Sequence, residues 1–157
     1  MFYVGGYIKL KMKYLFVLTV FIISFTICQA HENEFVQTFN KVSLVSVYDG
    51  DTFRVHLNCK YSIFCKSIPI RVRGVDCPEI KGGSEGTKAL AKQAKEFTKN
   101  FFKGGKILLR NCGRDKYFRL LCDVKVNGKD LKEELIKSGY GVHYDGGTKQ
   151  SFIIETS

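Results

Sequence analysis

From Lys41 onward, apolar and polar residues alternate in short runs, the pattern of strands that bury one face. Val42, Leu44 and Ser46, with Val45 and Val47 among them, form a β-branched-rich run that stops at Tyr48-Asp49-Gly50-Asp51. Asp-Gly between two apolar runs predicts a hairpin, because these residues accept the backbone angles a tight turn needs. The next run alternates cleanly: Phe53, Val55 and Leu57 face one way, Arg54 and His56 the other. After a polar loop from Asn58 to Ser67, Ile68 opens a third strand that sets Ile70 and Val72 against Arg71 and Arg73 and runs on to Asp76. Gly74 within it predicts a bulge or a close backbone approach. Pro78 ends it, since proline lacks an N–H and biases the residue before it away from helix.

The period then changes. Lys81 to Gly86 reads as a loop, and a helix is predicted from about Thr87 to Lys103. Leu90, Ala94, Phe97 and Phe101 share one face, while Lys88, Lys92, Lys95 and Lys99 line the other as a solvated stripe. Gly104-Gly105 stops it. Strands are predicted again over Ile107–Arg110 and Phe118–Val126, with a turn at Asn127-Gly128. Asp130 is placed to cap a last helix, with Glu133 three residues on, Leu131 and Leu135 on the buried face, and Gly139 at the end. Tyr140 to Ser157 contains no long periodic segment. The order β-β-β-α-β-β-α predicts a mainly β, α+β fold. The architecture that fits is a five-stranded Greek-key barrel of the OB type, with one helix between strands three and four and another after strand five.

Composition adds a direction to this scaffold. The chain has 157 residues, enough for one domain with a core, and a net charge of +10, which favours polyanionic partners. Every acidic residue lies after residue 30, so the chain stays basic if the N-terminal segment is removed. That segment has Lys9, Lys11 and Lys13, then an uncharged run from Tyr14 to Cys28, then Gln29-Ala30 before polar His31. It reads as a signal peptide over residues 1–30, or from Met12, with a mature domain from residue 31 to 157 and export to the periplasm or medium. The apolar run is short for a spanning helix; left uncleaved, it would anchor the chain at a membrane.

The chemistry concentrates in three places. Asp49-Gly50-Asp51-Thr52 sits at the first turn, Arg71 to Glu79 at the end of the third strand, and Asp115-Lys116-Tyr117-Phe118-Arg119 before the fifth. Carboxylates and guanidiniums leaving one strand end together suit a site that handles phosphate and a metal, although a surface ion-pair patch would use the same residues. Together, in order and spacing, the three motifs resemble the staphylococcal nuclease (thermonuclease) family, over about Val42 to Tyr144.

The resemblance implies a Ca²⁺-dependent endonuclease acting on DNA and RNA with little sequence preference and leaving 3′-phosphate ends. It makes Asp51 and Asp76 metal carboxylates, joined by the backbone carbonyl of Cys77; hard oxygen ligands of this kind suit calcium. It makes Glu79 the general base, and Arg71 and Arg119 the clamps on the scissile phosphate. Guanidinium is always charged and bidentate toward phosphate oxygens. Lys116 and Tyr117 fall where the family holds a neighbouring phosphate, and Tyr144 where an aromatic meets the base. Asp49 is left to the turn, Arg73 to the surface, and the Cys77 thiol without a task. Phe118 stands where glycine is common, and the chain ends soon after Asp145-Gly146-Gly147, as in a shorter-tailed branch of the family. A non-catalytic OB module that binds nucleic acid or a protein partner is the alternative. No stable protein partner is implied, and a monomer is expected.

Beyond the signal segment lie Cys59, Cys65, Cys77, Cys112 and Cys122, an odd number. Cys59 with Cys65 would close the loop between two strands, and Cys112 with Cys122 would join the last strand pair, leaving Cys77 free.

Overall fold

The computed structural model describes Thr19, residues 37–81 and residues 84–147. The chain divides into two compact units, Met1–Phe35 and Val36–Ser157, and the fold is that of the second. The expected signal segment lies outside the described residues, Thr19 apart, as do residues 148–157. No helix among the described residues is long and apolar enough to cross a membrane.

Strands β1 (Gln37–Phe39), β2 (Val42–Val47), β3 (Thr52–Leu57) and β4 (Ile68–Val72) come first, followed by the short β5 (Gly74–Asp76). Helix α1 (Glu85–Phe101) leads to β6 (Ile107–Arg114) and β7 (Leu120–Val126). The two-residue β8 (Lys129–Asp130), helix α2 (Leu131–Lys137) and β9 (Val142–Tyr144) complete the chain. The principal sheet runs β1-β6-β7-β4-β3-β2, with β8 added beside β7, and β5 pairs with β9 apart from it. All its pairs are antiparallel except β4 with β7, which lie parallel because α1 and β6 carry the chain across between them. The mixed sheet and two helices form the expected OB-type α+β half-barrel.

The sequence alternation maps directly onto the core. Phe53, Val55 and Leu57 of β3 are buried with Ile70 and Val72 of β4, and Leu109, Cys122 and Val124 close the sheet's inner face. Phe102, Leu131 and Leu135 pack on it from the helices, and Phe53 meets Phe102 with ring centroids 4.6 Å apart. On α1 the innermost line is Ala91, Ala94 and Thr98, with Phe97 and Phe101 half-buried beside it.

Four features differ from the expectation. The third strand does not continue through Gly74: it breaks at Arg73, Gly74 takes φ +76°, and the chain re-pairs with β9 as a separate ribbon. That break, with the short β1 and β8, raises the strand number from the expected five. Helix α1 starts earlier, because the Ser84 hydroxyl accepts from Thr87 N at 3.3 Å as an N-cap within what reads as a glycine loop. The last long strand begins at Leu120 rather than Phe118, since residues 115–119 form a closed turn. On α2, Asp130 caps through Lys132 N at 3.1 Å while Glu133 pairs with the Lys132 ammonium at 3.0 Å.

Arg73 is not a free surface cation. Its guanidinium donates to the carbonyls of Asn111 at 2.6 Å and Leu121 at 2.9 Å, and its Nε lies 3.5 Å from Asp123. It therefore ties the break in the third strand to the β6–β7 hairpin. Disulfides join Cys59 to Cys65 and Cys112 to Cys122, and Cys77 is a buried free thiol.

Candidate active site

Asp49, Gly50 and Asp51 form the turn between β2 and β3, closed by Tyr48 N and Asp49 N donating to Thr52 O at 2.9 and 3.2 Å. Gly50 has no room for a side chain: a Cβ there would stand 2.8 Å from Cys77 Sγ and 3.0 Å from Ala94 Cβ. The turn thus presses against both the end of β5 and the face of α1. Thr98 Oγ1 fixes it from the helix by donating to Gly50 O at 2.6 Å. A buried threonine on an otherwise apolar helix face is the sequence signal for this support, and periodicity alone passes over it.

Register brings the second motif alongside. Thr52 lies opposite Arg71 in the β3–β4 pair, and Val72 N donates to Asp51 O at 2.9 Å. Asp51, Arg71 and Asp76 are all buried. The Arg71 guanidinium lies 3.1 Å from Asp51 Oδ2 and donates to Asp76 Oδ1 at 2.9 Å and to the carbonyls of Val72 and Val75 at 2.9 and 2.6 Å. Cys77 N donates to Asp51 Oδ2 at 2.7 Å. Asp51 N donates to Asp49 Oδ1 at 3.3 Å, which places Asp49 in the turn.

Two buried carboxylates therefore flank one guanidinium, with Asp49 behind Asp51 in the turn. Burial pushes the Asp51 carboxyl up to about 7, against the pull of Arg71 and reinforced by Asp49. Burial likewise raises Asp49. Both shifts are set first by loss of solvent around the carboxyls. The Cys77 thiol is pushed far up, first by burial and then by these same carboxylates, so it stays protonated and inert.

Arg119 enters on the turn between β6 and β7. Asp115 organises that turn: its Oδ1 accepts from Tyr117 N and Arg119 N, both at 2.9 Å, and its Oδ2 accepts from Arg119 Nε at 2.7 Å. The free edge of the Arg119 guanidinium points inward, where Nη1 donates to Thr52 Oγ1 at 3.4 Å, and Thr52 Oγ1 in turn donates to Asp51 Oδ1 at 2.9 Å. A continuous chain of polar contacts thus runs from Asp115 through Arg119 and Thr52 to Asp51 and Arg71. Thr52 and Asp115 belong to the sequence motifs, yet only the fold shows them to be the linking groups.

The remaining candidates are placed more loosely. Glu79 is exposed, beyond buried Cys77 and Pro78. Lys116 and Tyr117 sit on the Arg119 turn, with the Lys116 ammonium and the Arg119 guanidinium 5.1 and 5.5 Å from the Tyr117 ring centroid. Tyr144 pairs with Gly74 across β5–β9 and its hydroxyl donates to Gly147 O at 3.0 Å, while Val142 is the residue beside Asp76.

Residues 69–153, more than half of the chain, match the family described as staphylococcal nuclease homologue. The chain belongs to that family. The matched span includes Arg71, Asp76, Glu79 and Arg119, whereas Asp51 lies outside it, on the turn before β3. Among curated relatives, endonuclease YncB of Bacillus subtilis is 32% identical over 69% of this chain and 57% of its own length. The SPbeta prophage-derived endonuclease YokF of the same organism is 33% identical over 62% of this chain and 32% of its own length. Endonuclease Htp3 of Saprolegnia parasitica is 28% identical over 72% of this chain and 60% of its own length. The chain thus spans less than two thirds of the length of each of these relatives.

No group of three or more Asp, Glu, His or Cys side chains among the described residues forms a ready-made metal cage. The donor chemistry nevertheless suits a hard cation: Asp51 and Asp76 are buried oxygen donors, and the backbone carbonyls of Val72 and Val75 lie beside them. Waters would complete the coordination.

Proposed function

We propose that the chain is a nuclease that hydrolyses phosphodiester bonds in DNA and RNA with little sequence preference, acting as an endonuclease that leaves 3′-phosphate ends. The observation that carries the reading is the buried Asp51–Arg71–Asp76 cluster, linked through Thr52 to Arg119 on a separate hairpin. Two guanidiniums from different elements are joined through Thr52 and Asp51 to one set of hard oxygen donors, the combination that suits a phosphate beside a cation. Family membership and the names of the relatives point the same way.

In this reading Asp51, Asp76 and the Cys77 carbonyl hold Ca²⁺. When bound, such an ion would supply Lewis-acid polarisation. Glu79, exposed to solvent, would act as the general base that accepts the proton of the attacking water. Arg119 keeps one edge on Asp115 and offers the other to phosphate, so it is oriented before substrate arrives. Arg71 is held on the two carboxylates and on the carbonyls of Val72 and Val75, which fixes its charge at the site where a phosphate would bind. Fixed positive groups stabilise the charge that grows on phosphorus more than the ground state. Lys116 and Tyr117 hold the adjoining phosphate, and Tyr144 lies toward a base. Two disulfides and a signal-like N-terminus support export to an oxidising compartment, where the chain acts as a monomer.

The test is direct. The purified protein is incubated with plasmid and single-stranded RNA, with calcium or with a chelator, alongside Glu79→Ala and Arg119→Ala variants. Cleavage that needs calcium and is lost in both variants is the expected result. Cleavage unchanged in chelator or in both variants would overturn the mechanism, and binding without cleavage would favour a non-catalytic OB module.

A further inference from the structure

The turn that carries Arg119 breaks a local rule. Asp115 N donates to Arg119 O at 3.0 Å and Phe118 N donates to Asp115 O at 3.1 Å, so residues 116–118 form a three-residue hairpin loop. The last residue of such a loop takes left-handed angles and is ordinarily glycine. Here it is Phe118, at φ +62°. The other described non-glycine residues with positive φ are Ser67, Asn111 and Asn127, so Phe118 alone places an aromatic ring on that conformation. A bulky side chain there is a genuine outlier, and such outliers persist where surroundings over-determine them.

Packing does not supply the reason, because Phe118 is 74% exposed. Tyr117 beside it is 66% exposed. Cations surround the pair: the Arg114 guanidinium lies 5.5 Å from the Phe118 ring centroid, and Lys116 and Arg119 stand against Tyr117. An exposed ring flanked by basic groups is the arrangement that stacks an unpaired base while neighbouring charges hold its backbone.

We propose that Phe118 is a stacking platform for an unpaired base next to the phosphate held by Arg119. The inference rests on the nuclease reading and adds a base-contacting residue to that site. Within a duplex both faces of a base are covered by its neighbours, so the ring gains a partner only from single strands, frayed ends or flipped bases. Specificity for sequence is not expected, since every base offers a π-face.

The test measures binding, in chelator, so it stays informative whether or not the chain cleaves. A short single-stranded oligonucleotide carrying 2-aminopurine, and the same oligonucleotide annealed to its complement, are titrated with the full chain and with Phe118→Gly, Phe118→Asn and Phe118→Trp variants. The Gly variant is expected to bind single strands about 5- to 100-fold more weakly, with little change for duplex, and to lose the fluorescence quench of a stacked 2-aminopurine. The same variant should melt about 2–6 °C higher, because glycine accepts the left-handed angle that phenylalanine resists. Asn, which also tolerates that angle, should reproduce the loss of binding, and Trp should retain it. Opposite changes in stability and affinity are what a packing role for Phe118 would not produce. Absent or unchanged single-strand binding, equal losses for single strand and duplex, or a lower melting temperature in the Gly and Asn variants would each overturn the proposal. Failure of the nuclease reading shows separately, as absence of cleavage in calcium.

Discussion

Asp115 is the residue whose removal tests the site most sharply, because it bonds Arg119 twice, through the backbone amide and through Nε. In Asp115→Asn the remaining oxygen can still accept from Tyr117 N and Arg119 N, which now bond Oδ1 at 2.9 Å. The second oxygen, which accepts from Arg119 Nε at 2.7 Å, becomes an amide that presents hydrogens to a hydrogen. A charge-assisted bond contributes roughly 1.5–3 kcal/mol when sheltered. Arg119 is 27% exposed, so solvent reduces the expected loss to roughly 1–2 kcal/mol. For a domain of this size that is a fall in melting temperature of roughly 3–6 °C. The larger effect is on rate: a guanidinium freed from its support loses its orientation, and a misplacement of about 1 Å can cost about 10²-fold in turnover. Steady-state cleavage of a defined oligonucleotide, read beside calorimetry, separates the two effects. Wild-type turnover in Asp115→Asn, with Arg119→Ala inactive, would refute the claim that Asp115 positions the clamp.

The same carboxylate sets a pH dependence. Partial burial pushes it up, but bonds from the Arg119 and Tyr117 amides and the Arg119 side chain outweigh burial and hold it below its ordinary 3.8. Its stabilisation is therefore complete above about pH 4 and is lost as pH falls through the lowered value; in acid-unfolding curves Asp115→Asn should differ from the parent least at the lowest pH. Calcium should raise the melting temperature of the parent chain in proportion to log concentration above its dissociation constant, and Asp51→Asn and Asp76→Asn should abolish that rise. Gly50→Ala should lower stability by roughly 1–3 kcal/mol in denaturant titration, since its Cβ would stand 2.8 Å from Cys77 Sγ and 3.0 Å from Ala94 Cβ. Reduction of the Cys112–Cys122 disulfide, which spans the hairpin bearing Arg119, should cost about 2–4 kcal/mol and be visible as a lower melting temperature in reductant.

Periodicity by itself determined the strand faces and the helices, because burial of one face imposes a repeat that survives in one dimension. Phe53, Val55 and Leu57 alternate in the sequence and line the core in the structure. The three polar motifs were legible for a related reason: carboxylates and guanidiniums at strand ends are costly unless something answers them. Short pairings carried no such signal. The strand Gln37–Phe39 has too few residues to show a repeat, and the break at Arg73 depends on carbonyls of Asn111 and Leu121 that lie far along the chain.

Only the tertiary structure decided how the motifs meet. The β3–β4 register puts Thr52 across from Arg71, and the parallel β4–β7 register sets Leu121 on the other side of Arg71, so that Arg119, two residues earlier, comes within reach of Thr52. From those two alignments follow the Arg71 guanidinium between two buried carboxylates and the Thr52 hydroxyl between Asp51 and Arg119. Sequence names the donors and acceptors, because chemistry resides in residue types. Which of them lie within a hydrogen bond is set by strand register, a property of pairs of segments that neither segment contains alone.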